Sequence, residues 1–262
     1  MFNLGPISIN WYGFFISLGM LLAIIITIKL SKMHKLPKEK IIDLSFWLII
    51  FGILGARIYD IFLELPFYLD NPGQIIKIWE GGLAIHGGIL AGVLVLLFFA
   101  KLEKINFWIL SAVSVPGLAL AQSIGRFGNY FNQELFGLPT KLPWGIPIQQ
   151  FNRPLEFITE THFHPTFLYE SLGSFIIFLT LIFLIIKFNK KENGEIIKNS
   201  TLIVSVYMLL YSVLRFFLEF IRVDYSPVII GLRAPQIFSL IMASIAIFII
   251  IKNYVFSQKK II

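Results

Sequence analysis

Seven stretches of this chain are apolar for close to twenty residues each, and that repetition limits the fold more than any other feature. They lie near 11–30, 41–63, 83–100, 107–124, 166–187, 201–221 and 235–252. A bilayer's hydrocarbon core is about 30 Å thick and a helix rises about 1.5 Å per residue, so each run is one crossing. In lipid the backbone must satisfy its own hydrogen bonds, and helices of this length do so. The third run is short and begins in a glycine cluster, Gly81-Gly82 with Gly87-Gly88. The fold class is therefore an all-α integral membrane protein, a bundle of about seven transmembrane helices. Composition agrees: 14% of residues are charged, against roughly a quarter in soluble domains. The net charge of +7 does not point to nucleic acid, because the basic residues sit in short loops between apolar runs. Cysteine is absent, which excludes disulfides, thiolate metal sites and a cysteine nucleophile in the chain itself. No Lys or Arg precedes the first run, which reads as a span rather than a secretory signal peptide.

Basic residues in short loops set orientation. With the N-terminus outside, the inside segments hold fourteen of the 22 Lys and Arg residues, among them Lys32, Lys35, Lys104, Lys191 and Lys259. The outside segments hold six, namely Lys77, Arg126, Lys141, Arg153, Arg222 and Arg233, while Arg57 and Arg215 fall within spans. The expectation is N-terminus out and C-terminus in the cytoplasm. The whole chain, 1–262, reads as one polytopic membrane domain. Between the fourth and fifth spans, residues 125–164 read as a small extracytoplasmic cap and active-site loop. Pro139, Pro143, Pro147 and Pro154 are interspersed there with Phe131, Leu135, Trp144, Ile146 and Phe157. No internal repeat is visible, which counts against a secondary transporter.

Ionisable residues at membrane depth are costly and face protein or a cavity. Arg215 and Glu219 are four apart and Glu219 and Arg222 three apart, so all three share one helical face, with Tyr211 one turn earlier. That pattern is either an internal ion-pair ladder or an anion site, since two arginines against one carboxylate leave positive charge over. His86, between Ile85 and Gly87-Gly88, is either a hydrogen-bonded packing residue or an exposed general base. Gly88 and Gly92 form a small-residue helix-packing pair. The remaining histidines, His34, His162 and His164, lack the spacing of a zinc site.

The run Gly125-Arg-Phe-Gly-Asn-Tyr-Phe-Asn-Gln-Glu-Leu-Phe-Gly137 is the most specific feature. Its glycines allow tight turns, Arg126 offers a planar fork for phosphate oxygens, and Asn129 and Asn132 add neutral donors. The alternative is an elaborate polar turn. His164-Pro165 marks the entry to the fifth span, leaving Glu170 one turn in and in need of a partner, for which Arg57 or Arg126 would serve.

The run 125–137 resembles the signature of the prolipoprotein diacylglyceryl transferases, a Gly-Arg-x-Gly-Asn-[Phe/Tyr]-x-Asn-x-Glu pattern with a glycine three residues on. Four other motifs are similar to that family's and fall in its order: Trp11-Tyr12-Gly13, Gly81-Gly82 with His86-Gly87-Gly88, His164-Pro-Thr-Phe-Leu-Tyr-Glu170, and Arg215-Phe-Phe-Leu-Glu219-Phe-Ile-Arg222. The resemblance implies transfer of a diacylglyceryl group from phosphatidylglycerol to the cysteine thiol of a preprolipoprotein lipobox, with glycerol phosphate leaving. It also implies a seven-helix protein of the bacterial cytoplasmic membrane, with its site at the outer membrane–water boundary.

On that reading the partners are phosphatidylglycerol, membrane lipid and a signal peptide carrying the lipobox. No cofactor and no metal are called for. Arg126 and Arg215 resemble the family's essential arginines and suit phosphate neutralisation, and His86 is the candidate base, a task that Glu134 or a tyrosine could share. Tyr12, Asn129, Asn132, Glu134, Gly137, Tyr211, Glu219 and Arg222 are expected to bind substrate, shape the cavity and hold the arginines. The competing reading is a lipid or anion transporter using the same arginines.

Overall fold

The computed structural model describes residues 2–4, 7–189 and 195–258. In chain order the elements are β1 (Phe2–Leu4), β2 (Ile7–Ile9), α1 (Trp11–Ser31), α2 (Lys38–Leu63), α3 (Leu65–Asp70), α4 (Ile85–Leu102) and α5 (Phe107–Asn132). There follow β3 (Ile146–Pro147), β4 (His162–Phe163), α6 (Thr166–Asn189), α7 (Ile196–Leu218), β5 (Val228–Ile229), β6 (Leu232–Arg233) and α8 (Ala234–Gln258). Seven of the described helices are long and apolar enough to cross a membrane. The strands make three two-stranded antiparallel ribbons. The chain divides into two compact units, one of Met1–Thr27 with Ala112–Ile262 and one of Ile28–Ser111.

In the unit Ile28–Ser111, α2 and α4 cross through glycine. A Cβ on Gly55 would lie 2.7 Å from the Gly87 carbonyl oxygen, and one on Gly87 would collide with the Gly55 carbonyl. The pair expected from the sequence is displaced by one position. A Cβ on Gly88 would lie 3.3 Å from the Gly52 carbonyl oxygen, and one on Gly92 would make only an ordinary contact with Leu48. Ile41, Leu44, Phe99, Ala100 and Leu110 form the core. The short link from α4 to α5 is defined by its caps. Lys104 takes φ 54° and the Ile105 amide reaches back to Ala100 O at 2.9 Å. Asn106 then accepts from the Trp108 amide at 2.9 Å.

Arg57 does not pair with Glu170. It donates to the carbonyls of Ile75 (3.0 Å), Gly81 and Gly82 (both 2.7 Å) and Gln74, so its charge is spent on the loop that follows α3. Asp60 lies 3.9 Å from it and accepts from Tyr68 at 2.7 Å, a hydrogen bond that pushes the Tyr68 phenol above its ordinary range.

In the other unit, α1 and α5 meet where side chains are small. A Cβ on Gly117 would lie 2.7 Å from Ala23 O, and one on Gly19 would lie 3.1 Å from Ala121 O. Ser171 donates to Ser123 O at 2.8 Å, tying α6 to α5 inside the apolar layer. Two helix ends differ from the sequence expectation. α5 continues to Asn132, because Arg126, Asn129 and Asn132 fall at helical spacing and find partners at its end. Residues 125–132 are therefore helix and not loop. α7 ends at Leu218, so Glu219 is its cap and Arg222 lies in the following turn. Arg215, Glu219 and Arg222 thus do not share one helical face, although all three converge by another route.

Candidate active site

The last two turns of α5 carry Arg126 and Asn129, three apart and so on the same side of the helix. Arg126 Nη1 donates to Asn129 Oδ1 at 3.2 Å, and Asn129 Nδ2 donates to Glu134 Oε1 at 2.8 Å. Asn132 reaches the same oxygen at 3.5 Å. Tyr12 packs on this end of the helix. A Cβ at Gly128 would come within 2.8 Å of its ring, which is why that position is glycine. The chain leaves α5 through two non-glycine residues in left-handed conformation, Gln133 (φ 50°) and Leu135 (φ 55°). Such residues persist where surrounding contacts hold them. Gln133 Oε1 accepts from the Gln149 amide at 2.9 Å and from Asn152 at 3.2 Å, and the Leu135 carbonyl accepts from the Thr166 hydroxyl.

Gly137 then threads between two other segments. Its amide donates to His164 O at 2.9 Å, its backbone pairs with Arg222, and the next amide, Leu138, donates to Ile221 O at 2.7 Å. A Cβ here would lie 2.8 Å from His164 Cβ, 2.8 Å from Ile221 O and 2.9 Å from Thr166 Cγ2. None of these neighbours is a flexible side-chain end. Gly137→Ala is therefore expected to lower stability by about 1–3 kcal/mol and to part the strands that place Arg222. Thermal unfolding of the purified variant in detergent checks this, and an unchanged midpoint would show that the crossing relaxes freely. Beyond it, Phe136, Ile148 and Phe163 form a small separate core, and Arg153 ties the loop by donating to Ile148 O at 2.8 Å and Ile158 O at 3.1 Å.

The centre of the cluster is Glu170, on the second turn of α6 and 3% exposed. Arg126 Nη2 lies 2.5 Å from Glu170 Oε1, and the Tyr211 hydroxyl donates to that oxygen at 3.4 Å. Arg215 and Arg222 approach Oε2 at 3.9 and 3.8 Å. Arg215 is held from its other side by Glu219, Nη2 to Oε2, at 2.7 Å. Three members were not among the expected site residues: Glu170 itself, Arg233 and Asp224. Arg233 lies 3.1 Å from Glu219 Oε1 and donates to the carbonyls of Arg222 (2.7 Å), Glu219 (3.2 Å) and Asp224. Asp224 pairs with Arg222 at 2.7 Å. Four guanidinium groups are thus ion-paired to three carboxylates, with Glu134 attached only through the asparagines. Among the described residues, Arg215 Nη1 is buried without a hydrogen-bond acceptor.

The positive charge expected to be left over around Glu219 is met by further carboxylates: Arg126, Arg215 and Arg222 engage Glu170, and Arg222 also pairs with Asp224. Arg126, Asn129, Asn132, Glu134, Gly137, Tyr211, Arg215, Glu219 and Arg222 are brought together, with Tyr12 against Gly128. His86 belongs to the other unit and stands on the first turn of α4, exposed, its ring 6.0 Å from that of Tyr59. Among the described residues it has no hydrogen bond, so its imidazole is not tied up as a packing group. Its neighbour Gly87 carries the close helix crossing instead.

A family model described as prolipoprotein diacylglyceryl transferase matches residues 1–252. The chain belongs to this family. It is 41% identical to the phosphatidylglycerol–prolipoprotein diacylglyceryl transferase of Synechococcus elongatus over 239 residues, covering 91% of this chain and 81% of that one. The protein of the same name from Finegoldia magna is also 41% identical, over 91% of this chain and 89% of its own. That of Thermosynechococcus vestitus is 38% identical, over 91% and 86%. Family membership and seven apolar helices together make this a multi-pass membrane protein.

Proposed function

We propose that this protein transfers the diacylglyceryl group of phosphatidylglycerol to the lipobox cysteine thiol of a preprolipoprotein signal peptide, the first step of lipoprotein maturation. Membership of a transferase family supports the reaction. The observation that supports the site assignment is the buried guanidinium–carboxylate cluster, in which Arg215 Nη1 lies 3.9 Å from Glu170 Oε2 without a hydrogen bond. A buried guanidinium donor without a hydrogen bond is costly until an acceptor reaches it. A phosphodiester brings one negative charge and oxygens that suit an arginine fork.

In the reaction a sulfur–carbon bond forms at the glycerol carbon that bears the phosphate, and that carbon–oxygen bond breaks. Glycerol phosphate leaves with the electron pair. The thiol proton goes to a base, because the thiolate is the attacking species. His86 is the candidate for that base, and its untied imidazole supports the choice. Arg126 and Arg215 stabilise the phosphate as its charge grows, Asn129 and Glu219 hold their forks, and Tyr211 braces Glu170. Tyr12, Asn132, Glu134, Gly137 and Arg222 shape the cavity around them.

The distribution of basic loop residues supports an N-terminus outside the bacterial cytoplasmic membrane, a C-terminus in the cytoplasm, and the loop after α5 as an extracytoplasmic cap. Reporter fusions at Lys35, Lys104 and Lys191 are expected to read cytoplasmic and one at Lys141 extracytoplasmic. A cytoplasmic signal at Lys141 would reverse the orientation and move the site with it. The reaction is tested by incubating purified protein with phosphatidylglycerol and a lipobox peptide. Mass analysis should show the peptide heavier by a diacylglyceryl group, with glycerol phosphate released. An unmodified peptide with intact lipid would sink the assignment.

A further inference from the structure

Between α6 and α7, wholly within one unit, runs an apolar groove of about 650 Å³. It is lined by Gly173, Ile177 and Thr180 on α6 and by Leu210, Leu214 and Phe217 on α7. Its one side-chain hydroxyl, on Thr180, donates to Ile176 O at 2.9 Å and so offers the groove no free donor. Glu170, Gly173 and Ile177 fall at helical spacings of three and four, hence on one face of α6. The groove floor therefore continues directly from the carboxylate that holds Arg126, Arg215 and Arg222. On α7, the buried Leu218 lines the groove and stands between Arg215 and the cap Glu219 in sequence. From Glu170 to Thr180 the helix advances about 15 Å. Leu214 packs directly over Gly173, where a Cβ would come 2.6 Å from its methyls.

We infer that this groove is the binding track for one acyl chain of the donor lipid whose phosphate the arginine cluster clamps. This rests on the transferase reading and names where the donor lies against the bundle. An open apolar groove that runs on from the guanidinium–carboxylate cluster along the same helix faces matches an amphiphile with an anionic head and a hydrocarbon tail. The groove's length and inert lining suit a chain, not a polar ligand.

Ile176→Trp and Thr180→Trp, made separately, fill the groove away from the ion cluster, and Leu179→Trp, on an exposed part of α6 outside the groove lining, is the control. With long-chain phosphatidylglycerol the two groove variants are expected to raise KM about tenfold, with kcat and the KM for the lipobox peptide within about twofold. Leu179→Trp should leave all three unchanged. In vesicles, the added fluorescence at position 180 should be quenched more by phosphatidylglycerol brominated on its acyl chains than by phosphatidylcholine brominated in the same way. Equal quenching by both lipids, together with unchanged KM, would make the groove an ordinary lipid-facing surface and overturn the inference. A rise confined to the peptide KM would assign the groove to the signal peptide's apolar segment, and overturn it equally. If the unsubstituted protein transfers nothing, the transferase reading fails. The headgroup-selective quenching then still decides whether the groove binds an anionic lipid.

Discussion

Arg126→Lys and Arg215→Lys are each expected to lower turnover by about 10²-fold or more, the scale of losing one preorganised donor to a developing anion. Lipid affinity should fall much less. Arg126 uses the two ends of its fork at once, Nη2 on Glu170 at 2.5 Å and Nη1 on Asn129 at 3.2 Å. Lysine has one nitrogen and cannot span both partners while facing a phosphate. Arg215 is held through Nη2 by Glu219 at 2.7 Å while Nη1 lies 3.9 Å from Glu170 Oε2. A lysine there would be drawn to one of the two carboxylates and could not span both. Both arginines contact the same Glu170, so the double substitution should cost less than the sum of the singles. Steady-state kinetics with binding measured separately decides the matter. Rates within about threefold of the parent, under 1 kcal/mol of barrier, would reduce the arginines to ion-pair partners.

Replacing His86 by Gln should reduce turnover by about 10²–10⁴-fold, the usual contribution of a general base. The fold should survive, because His86 is exposed and the neighbouring close contact belongs to Gly87. Glutamine keeps a hydrogen-bonding group but cannot accept the thiol proton near neutral pH. The loss should shrink as pH rises and the substrate thiol ionises unaided. A deficit that stays constant with pH, or near-parental turnover, would remove His86 from the proton transfer.

The seven spans are legible in the sequence because lipid tolerates only long, nearly uninterrupted apolar runs, and composition alone marks them. Arg126, Asn129, Glu134, Arg215 and Glu219 are legible because polar groups at that depth need a reason. Their wiring is less so. The apolar signal of the fourth span stops near residue 124, yet the backbone stays helical to Asn132, since side-chain partners can replace hydrophobicity in sustaining a helix end. Arg222 looks like a continuation of the Arg215–Glu219 ladder by spacing, but it arrives in a turn, through backbone pairing with Gly137. Arg233 and Asp224 look like ordinary loop charges, and only the fold reveals that Arg233 closes the carbonyls of three residues around Glu219. Glu170 was recognisable as a carboxylate in want of a cation, but sequence spacing offered no way to choose Arg126 over Arg57.

The order in which the ion cluster's members occur along the chain has a consequence for biogenesis. Glu170 meets Arg126 as soon as α6 lies against α5, but Arg215, Arg222 and Arg233 come later in synthesis, the last of them at the threshold of α8. A membrane-inserted intermediate lacking the final hairpin and α8 already carries the Glu219 carboxylate without Arg233, its second cation. Arg215 pairs with one of its oxygens from the start, and the other gains its cation when the last segment docks. Docking of the last segment thus completes the ion cluster in one event, by adding the second cation of Glu219.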